Sequence, residues 1–162
     1  MIDTPLAFEL PNNLGRLEIE TTALKHMWRH RQTNLLKREA GGQLFAAIDA
    51  DAVCIVEATG PRPTDKRGRY HYHPDRTAEK REIEDRYAAG LHFVGDWHTH
   101  PQGMPSPSDT DLSNFQDMVT RSEHSLPGFI LIVVGKQRFP SGLHVTFVTA
   151  TGFYELTPHA PV

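Results

Sequence analysis

A chain of 162 residues, 38% hydrophobic and 23% charged, is long enough for one self-supporting soluble domain, and its net charge of −3 gives no general attraction for nucleic acid or an anionic membrane. A single cysteine, Cys54, excludes a disulfide framework and any zinc site built on two cysteines. Ten histidines stand against it, so any metal chemistry here falls to imidazole and carboxylate. No run approaches 18 apolar residues, so no membrane span is expected. Met1-Ile2-Asp3-Thr4-Pro5 lacks the basic start and apolar block of a signal peptide, and with one cysteine this predicts a reducing, cytoplasmic setting.

In chain order, Leu24, Met27, Trp28 and Leu35 recur at helical spacing and predict an amphipathic helix from Thr22 to about Lys37, ended by Gly41-Gly42. Leu44 to Ile48 reads as a strand. Asp49-Ala50-Asp51 turns the chain into a second, Val53 to Thr59, in which Cys54 reads as a small buried hydrophobe. Pro61 to Arg69 carries Pro, Gly and mixed charge and reads as an exposed loop, part of a charged insertion at about 61–75 that a partner could touch. A short strand Tyr70–His73 follows. Thr77 to Ala89 reads as a charged surface helix anchored by Ile83 and Tyr87.

Leu91 to Trp97 reads as a strand with a glycine inside it, and Ser108 to Arg121 as a helix with Leu112, Phe115, Met118 and Val119 on its apolar stripe. The unbroken apolar run within Gly128 to Val134 is the pattern of a central strand covered on both faces. Leu143 to Thr149 alternates, and Phe153 to Leu156 reads as a last edge strand. Interleaved strands and helices predict an α/β fold, a single domain over residues 1–162 with a mixed sheet sandwiched by helices.

The chemistry concentrates in Gly95-Asp96-Trp97-His98-Thr99-His100-Pro101 and in Ser108-Asp109-Thr110-Asp111. His98 and His100 are two apart at a strand end, so their imidazoles point to one face and can converge on one ion. Asp111, in the first turn of the following helix, can swing back toward them. Two histidines and a carboxylate leave a fourth tetrahedral position open, the layout of a catalytic zinc. Ser108-x-x-Asp111 is equally a capping-box pattern with Asp in the place of Glu or Gln. Taken singly, each piece is more often structural than functional.

Two other pairs share parts of the pattern. His71-Tyr72-His73-Pro74 repeats H-x-H-P, with Glu84 at the offset of Asp111, but Arg81 stands at the serine position, where a cation repels a metal. His26 and His30 have the i, i+4 spacing of a helical zinc pair, but Met27 replaces its glutamate, so both read as a solvated helix face.

His98-x-His100-Pro101, seven residues to Ser108 and two more to Asp111 resembles the JAMM motif of the JAB/MPN metalloproteases. That motif's upstream glutamate has a match in Glu39, in Glu39-Ala40-Gly41-Gly42-Gln43-Leu44-Phe45. As an ordinary residue near a helix C-terminus Glu39 would sit against the helix dipole, which argues for a functional reason. The resemblance spans about Leu24 to Val148 and implies a cytidine-deaminase-like sheet and one Zn²⁺ per chain held by His98, His100 and Asp111. It implies Glu39 as general base and Ser108 as oxyanion donor in hydrolysis of a peptide or isopeptide bond. It further implies a ubiquitin-like or conjugated protein as substrate. Gly95-Asp96-Trp97-His98-Thr99-His100-Pro101 is similar to small bacterial deconjugating proteins encoded beside E1- and E2-like proteins in antiphage defence operons. A peptidase trimming a sulfur-carrier protein and a non-catalytic scaffold of the same fold are the alternatives. A DNA-repair-associated relative is disfavoured by the acidic balance.

Overall fold

The chain is described here by a computed structural model covering residues 2–159. Among these residues the order is β1 (Leu6–Glu9), β2 (Arg16–Ile19), α1 (Thr21–Arg29), β3 (Gly41–Ile48), β4 (Ala52–Ala58), β5 (Lys66–Arg67), β6 (Tyr72–His73), α2 (Arg76–Ala88), β7 (His92–Thr99), α3 (Asp109–Arg121), β8 (Phe129–Val134), β9 (Leu143–Val148) and β10 (Phe153–Leu156). Eight strands form one sheet in the order β1-β2-β4-β3-β7-β8-β9-β10, and β5 pairs with β6 as a separate hairpin. The β2/β4 and β7/β8 pairs are parallel and the others antiparallel, so the sheet is mixed as expected.

All six residues of β8 are buried, and successive ones serve opposite faces. Ile130, Ile132 and Val134 join Ala23, Leu24 and Met27 of α1. Phe129 and Leu131 join Phe115 and Val119 of α3. α2 lies on the α3 side, with Arg86 over the Phe45 ring, which meets Phe93 and through it Phe129. The sheet is thus sandwiched by helices, and β7, the strand carrying His98 and His100, runs between two neighbours at its centre.

The structure departs from the sequence reading in six places. β1 and β2 are absent from that reading: each is four residues long, too short to establish a period, and they meet through a turn in which Asn12 and Asn13 take positive φ. α1 stops at Arg29 instead of about Lys37, and Leu35 and Leu36 are 79% and 92% exposed. Buried Gln32 is the reason: its amide donates to the Lys37 and Arg69 carbonyls and accepts from Thr99, bonds made from a non-helical path. Glu39 therefore does not stand at a helix C-terminus, and the dipole argument for it falls. Gly41 and Gly42 open β3 rather than end a helix; a Cβ on Gly42 would strike the Thr59 carbonyl.

In α2, Tyr87 is 70% exposed and is no anchor, and the buried residue is Glu79. The 61–75 segment is not simply an exposed loop: the side chains of Arg62 and Asp65 are 8% and 0% exposed. His26 and His30 are not a solvated face, because both rings pack on buried Trp97, with centroids 5.8 and 5.9 Å away.

Candidate metal centre

β7 does not alternate evenly, and that irregularity aims the site. Its pairing with β3 shifts register between Leu44/Gly95 and Phe45/Phe93, a bulge that places an extra residue at Val94. Phe93 and His98 are five apart and in a regular strand would face opposite sides. The bulge puts Phe93 with the α3-side cluster and still sends Asp96, His98 and His100 to that side, while Val94 and Trp97 join the α1-side core. Gly95 carries the irregularity at φ +152°, and a Cβ there would fall inside the Ile130 carbonyl.

α3 brings the carboxylate. Ser108 is its N-cap and forms a complete capping box with Asp111: the Asp111 N–H donates to Ser108 Oγ (3.0 Å) and the Ser108 N–H donates to Asp111 Oδ2 (2.9 Å). The same Oδ2 lies 3.3 Å from His98 Nε2 and 3.3 Å from His100 Nε2, and the two imidazole nitrogens are 3.2 Å apart. The capping reading and the ligand reading of Asp111 are thus compatible, because the cap fixes the carboxylate that faces the histidines.

These three atoms form a nearly equilateral triangle. Ligands at about 2.0–2.2 Å from a tetrahedral zinc are about 3.3 Å from one another, so the triangle has the edge length of one face of that tetrahedron. The residues present therefore fit a tetrahedral divalent cation. Glu39, 8% exposed, lies with His98 and His100 in a second grouping whose ligand atoms are all within 4.8 Å. This places the Glu39 carboxylate beside the two imidazoles of the triangle.

The electrostatics agree with these places. Burial raises the Glu39 carboxyl above its ordinary range, opposed by the two imidazoles. Burial also works against ionised Asp111, but hydrogen bonds from His100, His98 and the Ser108 N–H outweigh it and hold the carboxylate well below its usual range. His100 is raised: burial disfavours its charge, and Asp111 more than compensates. A cleft of about 590 Å³ opens beside the triangle, lined by Tyr72, Asp96, Trp97, His98, Asp111 and Phe115 among others.

All five site residues read from the sequence are brought to this corner. Thr99 and Gln32 were missed. Thr99, fully buried between the two histidines, accepts the Ala40 N–H (2.9 Å), donates to Gln32 Oε1 (2.9 Å) and donates its backbone N–H to the Ala40 carbonyl (2.8 Å). It thereby locks the strand of the histidines to the residue after Glu39. A threonine between two candidate ligand histidines looks like filler in sequence; only its burial reveals the role.

The other candidate ligands behave differently. His71 and His73 are exposed on the β5–β6 hairpin, with ring centroids 5.5 Å apart, and join no ligand grouping among the described residues. Cys54 donates to Glu20 (3.4 Å), and burial together with that carboxylate pushes its thiol up to about 11, the state of an inert thiol. No helix among the described residues is long and apolar enough to cross a membrane.

Comparison with known proteins adds an independent line. The family described as prokaryotic homologs of the JAB domain matches residues 20–147. A Pseudomonas aeruginosa protein named CD-NTase/cGAS isopeptidase is 26% identical over 144 residues, 87% of this chain and 88% of that one. An Enterobacter hormaechei protein of the same name is 32% identical over 100 residues, 60% of this chain and 55% of that one. A Sinorhizobium fredii protein named probable metalloprotease is 29% identical over 101 residues, 59% and 62% of the two chains. The solution structure of a Desulfitobacterium hafniense protein superposes with a TM-score of 0.61 over 85% of this chain and 87% of that one, at 18% identity, a likeness of fold.

Proposed function

Because the chain belongs to the prokaryotic JAB-domain family, we propose that it is a zinc-dependent isopeptidase that releases a protein from a covalent conjugate at the modifier's C-terminal tail. The observation that carries this reading is the triangle of His98, His100 and Asp111, 3.2–3.3 Å on a side, with Glu39 within 4.8 Å of both imidazoles.

His98 Nε2, His100 Nε2 and Asp111 Oδ2 are the atoms that would hold one ion. Bound Zn²⁺ supplies Lewis acidity, bringing the pKa of water from about 16 toward roughly 7 and polarising a carbonyl. Glu39 takes the proton of the attacking water on its carboxylate and delivers it to the nitrogen of the leaving amine. Its burial serves this role, since a carboxylate with a raised pKa is the better base. The Ser108 hydroxyl oxygen already accepts from the Asp111 N–H and donates to nothing among the described residues, so its proton is free for the oxyanion that forms on the scissile carbonyl. The cleft beside Asp96 and Phe115 is the path for an extended tail.

The names of the relatives favour a conjugate as substrate over a sulfur-carrier precursor, and a CD-NTase-type protein as the conjugated partner; a bacterial defence setting is the context that the motif resemblance implies. Retention of all five site positions favours an enzyme over a scaffold. The test is incubation of the full chain with a CD-NTase-type protein conjugated to a modifier through the modifier's C-terminal tail, with and without chelator, followed by intact mass. Loss of the modifier mass that stops with chelator and returns with zinc is expected. An intact conjugate, or cleavage indifferent to chelator, refutes the reading.

A further inference from the structure

We propose that the β5–β6 hairpin is the device that positions the general base, with Arg67 and Tyr72 as positioning residues for Glu39. The proposal rests on the reading of Glu39 given above. Residues 33–38, which lead into Glu39, form neither helix nor strand and are all exposed, Leu35 and Leu36 included. Such a stretch cannot by itself hold a carboxylate to the roughly 0.5 Å that catalysis demands.

The hairpin supplies what is missing. Both backbone polar groups of Glu39 are taken by it: the Glu39 N–H donates to the Gly68 carbonyl (2.6 Å), and Arg67 Nε donates to the Glu39 carbonyl (2.7 Å). Two residues on, the Gly41 carbonyl accepts from Tyr72 Oη (2.9 Å), whose single proton it shares with Asp65 Oδ2 (2.8 Å). Ala40, between them, is bonded on its other side to Thr99 of β7. Alternate residues are therefore gripped from opposite sides, Glu39 and Gly41 by the hairpin and Ala40 by the strand of the ligand histidines. Gly41 has to be small here, since a Cβ would press on the Tyr72 ring at 2.7 Å.

The hairpin is itself anchored in the body of the protein. Fully buried Asp65 accepts the N–H groups of Arg62 (2.8 Å) and Asp75 (2.8 Å), and Arg62 runs from Asp65 to Glu82 of α2. α2 thus reaches Gly41, two residues beyond Glu39, through Arg62, Asp65 and Tyr72. A segment whose charge makes it read as a solvated flap is, on this geometry, a bracket anchored by a buried Asp65 side chain.

The test uses the full chain and three variants: Arg67→Ala, Arg67→Lys and Tyr72→Phe. Zinc per chain, KM and kcat on the conjugate, and hydrogen exchange of the Glu39 amide are measured for each. For Arg67→Ala we expect zinc unchanged, KM within about twofold, kcat down about tenfold and faster Glu39 exchange, because an ångström of misplacement costs up to about a hundredfold. Arg67→Lys recovers part of kcat by restoring a donor, and Tyr72→Phe loses kcat by a smaller factor in the same pattern. It also serves should Arg67→Ala not fold. A raised KM with unchanged kcat would place Arg67 on the substrate and overturn the proposal. Faster exchange with both constants unchanged would overturn it too, leaving the hairpin as cover. The proposal fails alone if Glu39→Gln is inactive while Arg67→Ala is unimpaired; a fully active Glu39→Gln would bring down the reading of the base as well.

Discussion

His98-x-His100-Pro101 and His71-x-His73-Pro74 have the same signature, and their ring pairs are almost equally close, with centroids 4.9 and 5.5 Å apart. What separates them is the surroundings. The first pair ends a central strand whose bulge turns it toward a helix N-terminus, where a capped carboxylate waits at 3.3 Å from both nitrogens. The second lies in the β5–β6 hairpin, His71 just before β6 and His73 in it, both exposed, and joins no ligand grouping among the described residues. Spacing two histidines on a strand costs a sequence little. A metal site needs a second element to bring a third ligand and a rigid body to hold both.

The sharpest way to break this contrast is to remove the third ligand. Asp111→Asn and His98→Ala should both purify with little zinc and cleave at background, measured by elemental analysis and a conjugate assay. Asp111→Asn keeps the size of the side chain, so its loss of metal would show that the carboxylate charge, beyond the helix cap, is what sets the first pair apart. Stoichiometric zinc in both variants would sink the ligand assignment.

Glu39→Gln comes next. It should keep about one zinc per chain and lose cleavage by roughly 10²–10⁴, the usual range for a general base. Full activity with full zinc would remove the base from the mechanism. Ser108→Ala should bind zinc and cleave about 10²–10³ slower, since one oxyanion donor is worth about 3–4 kcal/mol. A wild-type rate would leave Ser108 as a cap alone.

A third histidine pair sharpens the contrast from the side of stability. Burial first, then the His26 charge, lowers His30 to about 4, below an ordinary histidine near 6.5. The unfolded chain therefore binds the proton more readily, so the folded state loses stability as pH falls from about 6.5 toward 4. The half-exposed ring limits this to about 1 kcal/mol after solvent screening. His30→Gln should flatten the fall in Tm over that window, and an unchanged slope would refute it.

The candidate residues on β7 and α3 were legible because their signals are local, i, i+2 on a strand and an N-cap three residues before its partner, whereas Glu39 stood out only through the resemblance to the family motif. β8 and α3 were legible for the same reason, an unbroken apolar run and a four-residue stripe. What stayed hidden depends on contacts between distant segments. Gln32 leaves the helix for Thr99, 67 residues away. Tyr72 reaches Gly41, 31 residues back, and turns an apparently solvated loop into part of the site. β1 and β2 are too short to carry a period, and it is β4, pairing with β2, that joins them to the sheet.

The smallest expected effect is the most discriminating for the histidine signature itself. His71→Ala and His73→Ala, made singly and together, should leave zinc content unchanged, cleavage within about twofold and stability within about 0.5 kcal/mol, the usual range at surface positions. The hairpin is held through Asp65, Arg62, Arg67 and Tyr72, and the His71 contribution to it is a backbone carbonyl that accepts from the Gly68 N–H at 3.0 Å, which alanine retains. A large loss of activity with zinc intact would mean that these imidazoles touch the conjugate at the cleft mouth. Loss of zinc would mean that the second pair takes part in metal capture, and the contrast between the two signatures would collapse. Near-neutral substitution on both counts would show that H-x-H-P by itself carries no metal chemistry and that the α3 cap and the bulge at Gly95 make the difference.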